Sequence, residues 1–321
     1  MRVVVLAGGY GGARMAHGFA LLGDEAALTV IVNTADDLEL HGLHVSPDLD
    51  TVMYTLAGLA NPRTGWGVRD ETWSAAAMLE RYGEPTWFRL GDRDLATHIA
   101  RTARLRAGVS LTDVTSQLAG ALGIRARLLP MTDDRVRTKI RVADGWLDFQ
   151  DYFVRRRHAE QVLDVRFDGI DGARPAPPVV EAIGEAELIV IAPSNPFVSV
   201  APILALPGIA DAIAASPAPV VAVSPIVAGS ALRGPADAML RTLATEEGAA
   251  GVARYYARTY HGLIDVLVVD RRDAALASGV AAAGLRPHVT DTLLAADGDR
   301  RRLAAALLAH GEPDAARTMR A

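Results

Sequence analysis

Alternating apolar runs and helical patterns predict an α/β protein: a doubly wound, mostly parallel (Rossmann-like) sheet with an inserted helical and β-hairpin subdomain. Three observations carry this prediction. Short runs at Val3–Ala7, Leu188–Ala192, Val220–Val223 and Asp265–Val269 read as strands buried on both faces of a parallel sheet. The first of them runs into a glycine-rich turn and then a helical pattern, the strand–turn–helix unit of doubly wound folds. Between residues 136 and 149 the pattern changes to alternation about a turn, which is a hairpin signature. With 321 residues and 50% hydrophobic content the chain can bury one large core, so it is read as a single domain over residues 1–321 with the insertion at roughly 60–160.

Composition narrows the function. The net charge of −5 supplies no basic field, which argues against nucleic acid as a partner. There is no cysteine, hence no disulfide, thiolate metal site or cysteine nucleophile. Only Lys139 among 33 basic residues is lysine, so a lysine-dependent mechanism is nearly excluded. No signal-peptide pattern or membrane-length apolar run occurs, and a soluble, cytoplasmic protein is expected.

In chain order, the turn after Val3–Ala7 is Gly8-Gly9-Tyr10-Gly11-Gly12, with a helical pattern from Ala13 to Leu22. Its backbone amides could cradle a phosphate, or its glycines could serve only a tight turn. A P-loop is absent, because Arg14 stands where Gly-Lys-Ser/Thr is needed. A dinucleotide fingerprint from Gly9 also fails, since Arg14 replaces its third glycine and the second strand ends in Asn33 instead of a ribose-binding acid. After that strand, Asp36, Asp37, Glu39, Asp48 and Asp50 crowd into fifteen positions. Ser46-Pro47 reads as an N-cap and first helical residue, which places Asp48 and Asp50 in a first helical turn. Acids there complement the helix dipole, but five together repel unless a cation or a protonation shift relieves them, so a hard cation is the sharper reading.

Farther on, a helix is expected from a cap at Asp70 to about Tyr82. Asp70 is bracketed by Trp66 and Trp73, each read as core packing in preference to a wall for a flat ring. The stretch Phe88–Asp94 is dense in paired charge, and His98, Arg101 and Arg104 follow on a helix. This region reads equally as a ligand-holding turn or a solvated cap. A helix over Ser110–Leu122, a strand over Arg125–Leu129 and a hairpin of Val136–Val142 with Trp146–Phe149 complete the first half. In the second half, Pro193-Ser194-Asn195-Pro196 and Ser224-Pro225 end two strands, where parallel sheets bind ligands. Helices over Leu276–Ala283 and Arg301–His310, then a frayed tail, close the chain.

Taken together, AGGYGGAR (from Ala7), NTADDLELHGLHVSPDLDTVMYTLAG (from Asn33), GWGVRDETW (from Gly65), LGDRDLATH (from Leu90), LLPMTDD, FQDYFVRRR, IAPSNPFVSVAPILALPGI and VAVSPIVAG resemble the 2-phospho-L-lactate transferase (CofD) family over nearly the whole chain. The first loop, GGYGG, is of the actinobacterial type. The resemblance implies transfer of a phosphoenolpyruvyl or 2-phospholactyl group from a guanylyl diphosphate ester to the ribityl hydroxyl of 7,8-didemethyl-8-hydroxy-5-deazariboflavin, with release of GMP, in coenzyme F-420 biosynthesis. The actinobacterial likeness favours the enolpyruvyl donor. It implies Mg2+ held by Asp37 and Asp50, with Asp48 as a further ligand, and deazaflavin contacts from Asp50 and Arg89. Asp50 is thus a candidate either for metal ligand or for the base that orients the attacking hydroxyl. Gly9, Tyr10, Gly11, Gly12, Ser194, Asn195 and Ser224 are the candidates for the donor's phosphates and nucleotide. A homodimer is implied as well. On this reading Asp50→Asn removes transfer and leaves the fold intact. The rival of a different class is a nucleotide-sugar-binding regulator of the gluconeogenesis-factor-like branch.

Overall fold

The computed structural model describes residues 1–311. Its strands, in chain order, are β1 (Arg2–Ala7), β2 (Ala27–Val32), the short pair β3 (Leu38–Leu40) and β4 (Leu43–Val45), β5 (Arg127–Pro130), β6 (Arg137–Val142), β7 (Gly145–Asp148) and β8 (Asp164–Asp168). The second half adds β9 (Leu188–Ile191), β10 (Val220–Val223), the two-residue β11 (Ile226–Val227) and β12 (Ser230–Ala231), β13 (Val266–Asp270) and β14 (Arg286–Thr290). Seven of these form one sheet in the order β14-β13-β10-β9-β1-β2-β5. Every pair in it is parallel, so the antiparallel admixture expected of a mostly parallel sheet is confined to small separate sheets. Chain order reverses between β1 and β9, the doubly wound arrangement whose switch point opens a crevice beyond the strand ends.

The strands at the sheet centre are the most continuously apolar ones, because both faces are covered. Val3, Val5, Val190, Val221 and Val268 pack into one layer, and Val4, Leu6, Ile189, Ile191 and Leu267 into the other. The outermost β14 (RPHVT) is half exposed and has no apolar run, and the sequence reading did not anticipate it. β8 also went unanticipated; it pairs with β6 as the third strand of the predicted hairpin, DVRFD being polar on its exposed side. The hairpin itself is present, with Val142 opposite Gly145.

The first half of the chain carries helices α1 (Gly9–Ala20), α2 (Pro47–Leu56), α3 (Ser74–Arg81), α4 (Asp92–Arg106) and α5 (Leu111–Ala121). Between α5 and the β6–β7 hairpin, β5 joins the central sheet beside β2. α3 begins at Ser74, later than expected, because Asp70 takes a left-handed φ of +53° and ends the preceding turn. Its first amides are capped from outside: Asp92 accepts from the backbone N–H groups of Ser74 and Ala75. The closing helices are Ala277–Ala282 and Asp297–Leu308, and the frayed tail expected past them lies outside the described residues. Among the described residues no single helix is long and apolar enough to cross a membrane.

Candidate active site at the sheet switch point

A cavity of about 460 Å³ opens where β1 and β9 diverge. The turn after β1 supplies Gly8 to Gly11, the start of α2 supplies Asp48 and Asp50, and the turn after β9 supplies Pro193 to Asn195. Asp36, Arg14, Arg89 and Arg233 add charge, while Trp66, Phe88, Phe149 and Phe153 add aromatic wall. Volumes of this order accommodate cofactor-sized ligands.

The glycine turn is built for close approach. α1 begins at Gly9, not at Ala13, so the glycines form its first turn. A Cβ at Gly11 would lie 2.2 Å from the Pro193 carbonyl oxygen, and one at Gly12 would lie 2.9 Å from the Ala7 Cβ. These two glycines let α1 press onto the ends of β1 and β9. Gly9, Tyr10 and Gly11 line the cavity, whereas Gly12 does not. Two amides of the turn are already engaged: Gly8 N–H donates to Ser194 Oγ at 3.4 Å, and Gly9 N–H donates to Asp48.

The acids separate into three environments. Asn33 Nδ2 donates to both Asp36 Oδ2 and Asp48 Oδ2 at 3.0 Å, one amide shared between two buried carboxylates. One amide cannot neutralise two charges. Burial, then the neighbouring Asp48 charge, holds the Asp36 carboxyl well above its usual range. Burial likewise pushes Asp48 up to about 6, with Asp37 adding to it and the Asn33 and Gly9 hydrogen bonds opposing it. Asp37, one position away, behaves differently. It is buried but not on the cavity wall, and both oxygens are engaged, Oδ1 by Ser46 Oγ at 2.7 Å and Oδ2 by His44 Nε2 at 2.9 Å. As expected, Ser46 is the N-cap of α2 and Pro47 its first residue, with Asp48 and Asp50 in the first turn, but the Ser46 hydroxyl is spent on Asp37 and makes no side-chain cap hydrogen bond.

Asp50 faces a third setting. Arg101, 1% exposed, grips it with both terminal nitrogens, Nη1 to Oδ2 at 3.1 Å and Nη2 onto Oδ1. Burial alone would lower the Arg101 guanidinium, but Asp50 and then Asp37 more than offset this and raise it. Arg101 Nη1 also donates to His98 Nδ1 at 3.3 Å, which leaves the imidazole proton on Nε2, 3.2 Å from Asp94 Oδ1. Tyr54 Oη donates to the same Asp94 oxygen at 2.7 Å. Asp50, Asp94 and His98 offer donor atoms within 4.8 Å of one another, but the guanidinium already fills the Asp50 side of that group. The buried fork changes the outlook for Asp50→Asn: it would strand the Arg101 charge, so an undisturbed fold no longer follows.

Asp94, His98 and Arg101 stand at i, i+4 and i+7 on α4, a polar stripe on one helix face. That spacing was the available sign that these residues point inward together, while Asp92 in the preceding turn does act as a cap, on the first amides of α3. Trp66 and Trp73 are not core. Trp66 is 48% exposed at the cavity edge, and Trp73 lies beneath the Arg89 guanidinium, 4.4 Å from ring centroid to Cζ. Within the aromatic wall, Phe149 and Phe153 form a stacked pair at 5.4 Å and 12°. Ser194, Asn195 and Ser224 line the cavity, yet their side chains serve the local backbone. Ser194 Oγ donates to Gly8 O, Asn195 Oδ1 accepts from Phe197 N–H, and Ser224 Oγ donates to Ile226 O.

Fold and site define a doubly wound α/β protein whose switch-point cavity carries buried carboxylates on one side and arginines on another. The family model for the 2-phospho-L-lactate transferase CofD matches residues 3–306, and the chain belongs to that family of transferases. A phosphoenolpyruvate transferase of Kitasatospora aureofaciens is 48% identical over 300 residues, covering 92% of each chain. One of Streptomyces griseus is 50% identical over 291 residues, covering 89% of this chain and 91% of the relative, and one of Mycolicibacterium smegmatis is 42% identical over 308 residues, covering 91% and 94%. Among solved structures, a UPF0052 family member from Bacillus halodurans superposes with a TM-score of 0.63 at 18% identity, over 96% of this chain and 98% of that one, which supports the fold.

Proposed function

We propose that the protein transfers a phosphoenolpyruvyl group, or a 2-phospholactyl group, from a guanylyl diphosphate ester to the ribityl hydroxyl of 7,8-didemethyl-8-hydroxy-5-deazariboflavin and releases GMP, a step of coenzyme F-420 biosynthesis. The relatives' name favours the enolpyruvyl donor. The observation that carries the reading is one cavity holding buried carboxylates, arginines and a stacked aromatic wall at the switch point. Transfer of a substituted phosphate needs charge neutralisation and in-line placement more than covalent help from the protein.

The donor set suits Mg2+. Asp36, Asp48 and Asp50 present only oxygen ligands to the cavity, and Asp36 Oδ1 makes no hydrogen bond of good geometry. Asp48 and Asp50 would hold the ion, with Asp36 beside Asp48. Asp37 would have to release Ser46 and His44 to join them, so its part is to position α2 through Ser46. Such an ion supplies positive charge to a diphosphate and its leaving phosphate. The chain's own residues do the rest. Arg101 fixes the rotamer of Asp50 at the cavity, where its carboxylate serves either as the ion's second ligand or to orient the acceptor hydroxyl, one role excluding the other. Arg89, braced on Trp73, faces the same space as the aromatic wall that would take the deazaflavin ring.

A cytoplasmic homodimer completes the proposal, tested by light scattering. The principal test offers the deazaflavin with each freshly made donor and identifies the product by mass. A deazaflavin phosphodiester plus GMP is expected; no product from either donor would end this reading. Deazaflavin binding by calorimetry separates it from a nucleotide-sugar-binding regulator, which has no use for that ring.

A further inference from the structure

Tyr10 is held between two arginines. The Arg14 guanidinium carbon lies 3.9 Å from the ring centroid and that of Arg233 lies 4.1 Å from it. Two guanidinium groups cannot share one face at those distances, so they sandwich the ring. Four segments remote in sequence converge to build this stack. Arg14 rises from α1 and donates to Leu294 O at 3.0 Å, while Arg233 crosses to the Thr64 carbonyl. Gly65 packs against the edge of Tyr10 so closely that a Cβ there would overlap the ring.

Each guanidinium thus spends one N–H on a backbone carbonyl, which orients it, and keeps its other donors. Among the described residues neither has a carboxylate within ion-pair distance, unlike neighbouring Arg300, which pairs with Asp297. Burial, then Arg300 and Arg233, lowers the Arg14 guanidinium to about 10, a sign of positive charge without a counterion. Both arginines line the same cavity as Asp36, Asp48 and Asp50. Cation–π stacking preorganises the pair but does not neutralise it. Paired, oriented and uncompensated guanidinium groups in a cavity recognise phosphate oxygens.

We propose that Arg14 and Arg233, braced on Tyr10, form a two-armed clamp for a diphosphate. On the transferase reading, which this inference deepens, the clamp grips the donor's diphosphate opposite the carboxylates. The glycine-turn amides, partly committed to Ser194 and Asp48, then act as secondary contacts.

Calorimetry with inorganic pyrophosphate in magnesium buffer tests this, on the parent, Arg14→Gln, Arg233→Gln and, as a control outside the cavity, Arg166→Gln. Glutamine removes the charge, and its amide, two bonds shorter than the guanidinium, gives up the carbonyl contact as well. Each clamp variant should bind pyrophosphate about tenfold more weakly, with a shallower salt dependence, while Arg166→Gln binds as the parent does. Melting temperatures within about 3 °C of the parent would exclude unfolding as the cause, and if Arg14→Gln does not fold, the exposed Arg233 carries the test. Parent-like affinity in both clamp variants, or no pyrophosphate binding by the parent, overturns the clamp. A parent that binds pyrophosphate through these arginines yet turns over neither guanylyl donor would leave the clamp standing and sink the transferase reading.

Discussion

Replacing Arg101 by methionine should cost more stability than any other single change at the site. The guanidinium is 1% exposed and Asp50 is 5% exposed, so the substitution leaves a carboxylate in a nearly dry setting with its fork removed. Breaking a buried pair from one side costs about 3–5 kcal/mol, mostly as the penalty on the stranded charge. At about 2 °C per kcal/mol for a chain of this size, the melting temperature should fall by roughly 6–10 °C. Urea unfolding followed by circular dichroism, with reversibility checked, gives the free energy directly. Adding Asp50→Asn to Arg101→Met removes the stranded charge, so the double variant should be more stable than the two single costs summed, by about 2 kcal/mol. It should remain inactive in transfer, which separates the role of the pair in folding from the role of Asp50 in chemistry. Strict additivity, or an Arg101→Met melt within 2 °C of the parent, would refute the claim that this fork organises the site.

Other expectations follow from the same geometry. With Asp48 raised from 3.8 to about 6, the folded protein holds this proton more tightly than the unfolded chain, so that stability is present below about pH 4 and lost as pH rises through 6. The loss is about 3 kcal/mol, and Mg2+ should therefore raise the melting temperature clearly at pH 7.5 and little at pH 5; equal shifts at both pH values would contradict a cation at Asp48. Gly11→Ala, whose Cβ meets the Pro193 carbonyl at 2.2 Å, should destabilise by about 1–3 kcal/mol in urea unfolding. Trp73→Ala removes the brace under Arg89 and should raise the KM for the deazaflavin about threefold, from roughly 0.5–1 kcal/mol of cation–π contact, with kcat little changed.

The most regular features were legible from residue order alone. Apolar runs such as Val3–Ala7 and Val220–Val223 specify buried parallel strands because nothing but a doubly covered sheet accepts them. Their alternation with helices, the glycine turn and the acid-rich Asn33–Asp50 stretch pointed to the end of the sheet where the cavity opens, and long motifs in order pointed to the family. Edges were harder to read: β8 and β14 are half solvated and take their strand character from a neighbour's hydrogen bonds, which composition does not record. Tertiary structure alone decided which acids do what. Asp36 and Asp37 are adjacent, yet one meets the cavity and the other is tied to Ser46 and His44, because consecutive side chains leave a turn in different directions. It likewise decided that Asp50 meets Arg101 and that Tyr10 meets Arg233, partners 51 and 223 positions apart whose encounter depends on how helices and loops pack, a property of the assembled core.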